Sequence, residues 1–244
     1  MIDKLILAWR NHRTLDWVNI GELSYVDSKY YFKYSQKAKD LYKDSQFLPF
    51  SHMLDLDNSY ESEELFPIFK NRLMHKSRPE YSDYLNWLNL SKNNLTPFME
   101  LSRSGGMRAT DDLQLFPYPE NISGNYIVFF FCHGIRYFSS HTIERIEALK
   151  PNDKLFILPD IQNTFDKHAL IFRTDEPIEI IGYAPRFFSS DFTQLIEING
   201  PNNISITVER VNHKSPSQFR LLCRFETNWP TNFEPFTKKS FQNE

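Results

Sequence analysis

Apolar and polar positions follow two different rhythms along the chain. In the first half, KLILAW (4–9) and WVNIGELSYV (17–26) predict strands, Asp27-Ser28-Lys29 a turn, and YYFKY (30–34) a return strand. From Ser59 the period changes. Leu65, Ile68, Phe69 and Leu73 recur at helical spacing behind Ser62, and Tyr81 to Leu90 predicts a second short helix behind Pro79-Glu80. SRSGGMRATDD (102–112) reads as a loop, and LQLFPYPE (113–120) as an extended piece stopped by Pro117 and Pro119. Asn121 to Asn125 is polar and turn-forming, and a sharp switch to strands follows it. IVFFFCHG (127–134) has the continuous apolar character of a buried strand. Further strands are expected at 153–159, 168–174, 179–185, 204–211 and 219–225, with one helix over 185–198 opened by Pro185. The expected fold class is therefore α+β. A mixed N-terminal domain (1–120) with a small antiparallel sheet and helices precedes a small β-barrel domain (125–226) with one main helix. A polar, loosely held tail (227–244) ends the chain.

Composition narrows the function classes. The 244 residues hold 28 Lys and Arg against 31 Asp and Glu, a net charge of −3, which argues against coating a polyanion through bulk charge. The unusual numbers are 22 Phe, 12 Tyr and 4 Trp against only 7 Gly, so long glycine-rich phosphate loops are scarce while aromatic rings are plentiful. Cys132 and Cys223 lie in apolar runs and read as buried thiols in a reducing cytoplasm. The seven histidines are scattered without metal-ligand spacing, so neither a metal nor another cofactor is expected. The apolar run of Leu5 to Trp9 is too short for a signal-peptide core or a membrane span, and a soluble cytoplasmic protein is expected.

Three motifs in the second half stand in a telling order: GIRYF (134–138), LPDIQNTFDKHAL (158–170) and IGYAPR (181–186). Together they resemble a HIRAN domain over roughly residues 126–226. The resemblance implies an OB-like barrel that grips the 3′-hydroxyl end of single-stranded DNA. It also implies the site. The family's Arg-aromatic-aromatic trio falls on Arg136, Tyr137 and Phe138, and its Asn-x-aromatic-Asp-x-x-Ala element on Asn163, Phe165, Asp166 and Ala169. Tyr183 and Arg186 replace a family pair that contacts phosphate, and Tyr183 departs from the His seen in the family members carried by Swi/Snf-type DNA remodelling enzymes. The chemistry agrees, since a guanidinium holds phosphate through paired hydrogen bonds, flat rings stack on bases, and a carboxylate accepts from a sugar hydroxyl. The plainer alternative makes Tyr137 and Phe138 barrel core and Asp166 a turn residue.

In the first half, Gly21-Glu22-Leu23, Phe32-Lys33-Tyr34, Leu48-Pro49 and Asn71-Arg72-Leu73 resemble the N-terminal subdomain of the HipA family over about residues 4–75. HipA proteins are serine/threonine kinases of toxin–antitoxin modules. HIRAN-like motifs occupy the space their catalytic core would need, so the resemblance implies a detached subdomain that contacts a protein partner, and no enzyme is expected. In the 102–112 loop, Arg103, Gly105, Gly106 and Arg108 have the composition of a phosphate cradle, though a surface loop or tight turn fits as well. Clustered acids at 54–66 read as a solvated face before a helix rather than a metal site. The leading expectation is a bacterial DNA-binding accessory protein that grips single-stranded 3′ ends. An antitoxin-like regulator of a HipA-type kinase comes second, and a metal-dependent nuclease third.

Overall fold

In the computed structural model, residues 4–237 are described except 15, 94, 109, 165 and 167. They fall into two units, Met1–Tyr118 and Pro119–Glu244.

The first unit grows from a hairpin. Asp27 and Ser28 both take left-handed backbone angles (φ 49° and 63°), the geometry that lets two twisted strands turn back within two residues. The turn joins β2 (Trp17–Val26) to β3 (Lys29–Tyr34), and β1 (Lys4–Arg10) pairs on the other side of β2. The helix α1 (Gln36–Lys43), the strand β4 (Ser59–Ser62), the short helices α2 (Pro67–Lys70), α3 (Tyr81–Trp87) and α4 (Pro97–Ser104), and the strand β5 (Leu113–Pro117) complete the unit. The strands form an antiparallel sheet in the order β4-β3-β2-β1-β5. Leu5, Leu7, Ile20, Leu23, Phe32, Phe69 and Leu101 fill its core. Gly21 is required there, because a Cβ would meet the Phe32 ring at 2.7 Å.

Three helical expectations shift. The apolar set from Leu65 to Leu73 forms only the single-turn α2, because Phe66 precedes Pro67 and is extended (ψ 141°), so the helix starts at the proline. The helices α1 and α4 lack a long periodic stripe and are set by their caps. Ser35 accepts a hydrogen bond from the Ala38 amide, and Thr96 from that of Met99. Residues 102–104 of the expected loop are the last turn of α4, which ends at Gly105 in the left-handed region (φ 69°).

The second unit comprises β6 (Glu120–Ile122), β7 (Asn125–Phe131), a 3-10 turn (Ile135–Tyr137), α5 (Ser140–Glu147), β8 (Lys154–Pro159), β9 (Leu170–Arg173), β10 (Ile180–Tyr183), α6 (Arg186–Asn199), β11 (Ser205–Val211) and β12 (Leu221–Asn228). All strand pairs are antiparallel, in the order β10-β9-β8-β11-β12-β7-β6. The expected barrel is not a closed ladder. The sheet curls until its β10 edge reaches the chain just beyond β7, and there His133 and Tyr183 exchange two backbone hydrogen bonds of 2.8 and 2.9 Å. Inside the curl, α6 lays Phe188 and Phe192 against Phe130 and Phe225, with Phe192 and Phe225 stacked in parallel at 4.0 Å. The domain holds a second helix besides α6. In α5 only Thr142 and Ile146 are buried, too few to show in the hydrophobic pattern.

The strand β12 runs past the boundary expected at 227. Beyond it, Trp229 and Phe233 pack against Tyr126, and Phe236 against Phe187 and Phe188. Residues 238–244 lie outside the described residues. The stretch from Trp229 to Phe236 is tied to α6 through the buried Asp191, whose carboxylate oxygens accept from the Phe236 amide at 3.1 and 3.2 Å.

Burial pushes the Asp191 carboxyl up to about 7. The folded protein holds this proton where the unfolded chain has released it, so the group's contribution to stability declines from about pH 4 to pH 7. About three pKa units correspond to a ceiling of about 4 kcal/mol. Burial pushes His133 the opposite way, down to about 4, so its contribution rises with pH up to the usual histidine range. Urea midpoints of the parent and Asp191→Asn across pH 4–8 separate the two. The variant's advantage should grow up to about pH 7 and then level off; a pH-independent difference refutes the assignment.

Candidate nucleic-acid interface

The site residues of the second unit gather where the sheet curls shut. Gly134, in the left-handed region (φ 78°), starts the 3-10 turn, and a Cβ on it would approach the Tyr183 ring to 3.0 Å. Gly182 sits equally close to the turn's root. A Cβ there would lie 2.4 Å from the Cys132 sulfur and 2.7 Å from the His133 carbonyl oxygen. Ile135 is buried and anchors the turn, which leaves Arg136 and Tyr137 facing solvent, Tyr137 with 75% of its surface exposed. This removes the plainer alternative in which Tyr137 is barrel core. The Arg136 guanidinium lies over the Tyr137 ring, 4.6 Å from its centre, and donates a hydrogen bond to the Tyr137 hydroxyl. Phe138 is half-buried and stacks on Tyr183, with ring centres 6.4 Å apart and planes 26° apart.

A polar chain runs on from Tyr183. Its hydroxyl donates to Asp160 Oδ2 at 3.0 Å, and Asn163 Nδ2 donates to the same oxygen at 3.0 Å. Asn163 Oδ1 accepts from the Asp166 amide at 2.9 Å, and Asp166 Oδ1 from the His168 amide at 3.0 Å. Asp166 Oδ2 lies 3.2 Å from Nε of Arg186, the first residue of α6. All seven expected residues, Arg136, Tyr137, Phe138, Asn163, Asp166, Tyr183 and Arg186, thus fall in one neighbourhood. Phe165 lies outside the described residues. The member that motif reading missed is Asp160, the acceptor shared by Tyr183 and Asn163. Its one sequence signal is a carboxylate at the end of a strand just before a turn. Desolvation, together with the charge and hydrogen bond of Asp160, pushes the Tyr183 hydroxyl above the usual tyrosine range.

The 102–112 loop takes another form than an anion cradle. The Gly105 amide donates to the Leu101 carbonyl at 2.9 Å and the Gly106 amide to Ser104 Oγ at 3.1 Å, so both are spent internally. What the loop holds is a cation of this chain. The buried Arg72 guanidinium donates to the Gly106 carbonyl at 2.8 Å and to Asp111 at 2.6 Å. Arg103 is a half-buried residue of the last turn of α4, while Arg108 is exposed. Among the described residues, no group of three His, Cys, Asp or Glu side chains could hold a metal ion.

The family model for the HIRAN domain matches residues 125–229. This part of the chain is a HIRAN domain. No curated protein matches the chain. Two solved structures are similar to it. A protein from Lactobacillus plantarum is 14% identical, with a TM-score of 0.33 over 43% of this chain and all of its own. The HIRAN domain of human HLTF is also 14% identical, with a TM-score of 0.31 over 43% of this chain and 79% of its own. Among the described residues of the HIRAN domain and of the first unit, no helix is long and apolar enough to cross a membrane.

The charge of Asp160 accounts for part of the raised Tyr183 titration. Asp160→Asn should move that titration back towards the ordinary tyrosine range, read by nuclear magnetic resonance on ring-labelled tyrosine with Tyr183→Phe assigning the signal. An unchanged titration would remove Asp160 from its role as the shared acceptor.

Proposed function

We propose that the HIRAN domain binds single-stranded DNA at a 3′-hydroxyl end and that the protein acts as a DNA-binding accessory rather than an enzyme. HIRAN domains are DNA-binding modules, and the observation that carries the finer reading is the continuous line of side chains from Arg136 to Arg186. Its parts divide the work. Tyr137 is a flat, exposed ring that Arg136 steadies, able to stack on a base while the guanidinium meets a phosphate. Phe138 and Tyr183 form a stacked wall behind it. Asp166 offers an acceptor for a terminal hydroxyl, and Arg186 balances its charge beside the first amides of α6. A 3′-phosphate has no hydroxyl proton at that position to donate at neutral pH, and it brings negative charge towards both Asp160 and Asp166. A few local contacts suffice to hold an end, which fits a chain of net charge −3.

The first unit, on this reading, contacts a protein partner. Leu48 and Leu54, 77% and 67% exposed on the connection between α1 and β4, support that role. A HipA-type kinase held by this unit is the alternative that the Leu48-Pro49 resemblance favours.

Fluorescence anisotropy with oligothymidylates ending in a 3′-hydroxyl or a 3′-phosphate tests the function. The parent should prefer the hydroxyl end. Asp166→Ala should erase the preference, and Tyr137→Ala should weaken binding by roughly 5- to 150-fold, the range of about 1–3 kcal/mol for one base stacked on a ring. Equal affinity of the parent for both ends would sink the end-recognition reading.

A further inference from the structure

We propose that the outer face of β8, β9 and β10 is a path for the DNA strand as it leaves the end-binding site, with Lys154 and Arg173 meeting phosphates and Phe156 meeting a base. This rests on the single-strand reading and extends it to a surface that the motifs do not touch. Sheet register defines the face. In β8 and β9, Phe156 pairs with Arg173 and Leu158 with Ile171. In β9 and β10, Arg173 pairs with Ile180 and Ile171 with Tyr183. Residues directly opposite share a face, as do alternate residues of one strand, so Lys154, Phe156, Leu158, Ile171, Arg173, Ile180 and Tyr183 all lie on one side. The register shift between Ile180 and Gly182 is what returns Tyr183 to the side of Ile180. The other side is core, where Leu155, Leu170, Phe172 and Ile181 are buried.

A sheet face turned to water ordinarily carries polar side chains alternating with the core. Along β8, β9 and β10 this one carries apolar and aromatic side chains with two cations, and the Asp160 carboxylate stands at its Tyr183 end. Leu158 and Ile180 are 39% and 43% exposed. Phe156 lies beside both cations, with the Arg173 guanidinium 4.1 Å and the Lys154 ammonium 5.0 Å from its ring centre. A ring flanked by positive charge on an open sheet surface is the element that sequence-tolerant single-strand binders repeat, because every base has a face to stack and every linkage a negative charge. Continuity with the end site supplies the direction. Tyr183 belongs to both surfaces, since its ring stacks on Phe138 while its strand position adjoins Ile171. From Leu158 to Lys154 the path runs roughly 13 Å at about 3.3 Å per residue.

The test uses the full chain and 3′-hydroxyl oligothymidylates of three and of twelve nucleotides, titrated by anisotropy at several salt concentrations. The longer strand should bind the parent at least about ten times more tightly. Lys154→Gln with Arg173→Gln should remove most of that gain and leave the trinucleotide unaffected. The pair should also lower the slope of log affinity against log salt by about 1.4, two phosphate contacts at about 0.7 each. Arg173 also bonds the Thr174 carbonyl, so the exposed Lys154→Gln alone serves as the variant that cannot disturb the fold, with half the change in slope expected. If the parent binds the trinucleotide but gains nothing with length, or the variants keep the gain, the path is overturned and the end site stands. A twelve-nucleotide gain lost in the variants, without trinucleotide binding, keeps the path and sinks the end site. No binding of either strand overturns both. A change in oligomeric state on Phe156→Asp, with the length gain intact, would make the face a contact between copies and overturn the proposal.

Discussion

Two backbone hydrogen bonds between His133 and Tyr183 hold the arrangement on which the candidate interface depends. They bring the free edge of β10 to the chain beyond β7, residues fifty apart in sequence and at opposite sides of the sheet order. Gly134 and Gly182 make the approach sterically admissible, because a side chain at either would collide with the opposing chain. Once the strands meet, the 3-10 turn that carries Arg136 and Tyr137 must pass over β10. Phe138 then finds Tyr183, and Tyr183 reaches Asp160 at the end of β8. Without that meeting, the three motifs would be three separate loops.

The polar chain at this junction also explains how a nearly neutral protein keeps a recognisable charge pattern. Asp166 is balanced by Arg186, and Asp160 is bonded by two neutral donors, so negative charge is held close to where a terminal hydroxyl would be read. The cations stand to the sides, at Arg136, Arg173 and Lys154. Separation of acceptors from cations over a short distance carries more information about a ligand than net charge does. In the first unit the same economy is internal. The buried Arg72 is met by Asp111 and a glycine carbonyl, and the buried Glu100 by the Tyr81 hydroxyl and the Met74 amide. Burial of this kind is tolerable only when each charge finds its partners.

Much of the strand framework was legible in the sequence because alternation and apolar runs register directly in the residues. The strands of the hairpin and of residues 125–228 lie within a few residues of their expected bounds. Of the short helices, α3 starts at Tyr81 as expected, while others were not legible. α1, α4 and α5 bury only a few apolar residues each and depend on caps at Ser35, Thr96 and Ser139. The glycine loop misled for a related reason. Composition shows that amides are present, while only the fold shows that Leu101 and Ser104 already use them.

What the sequence determined by itself was local: the period of each strand, the turn residues, the order of the three motifs and the near-zero net charge. Tertiary structure decided which motif residues face solvent, which carboxylate joins Tyr183 to Asn163, and that two cations meet the Phe156 ring. The physical reason is the same in each case. Pairing across a curled sheet brings together residues far apart in the chain, and neither spacing nor composition records which strands will meet.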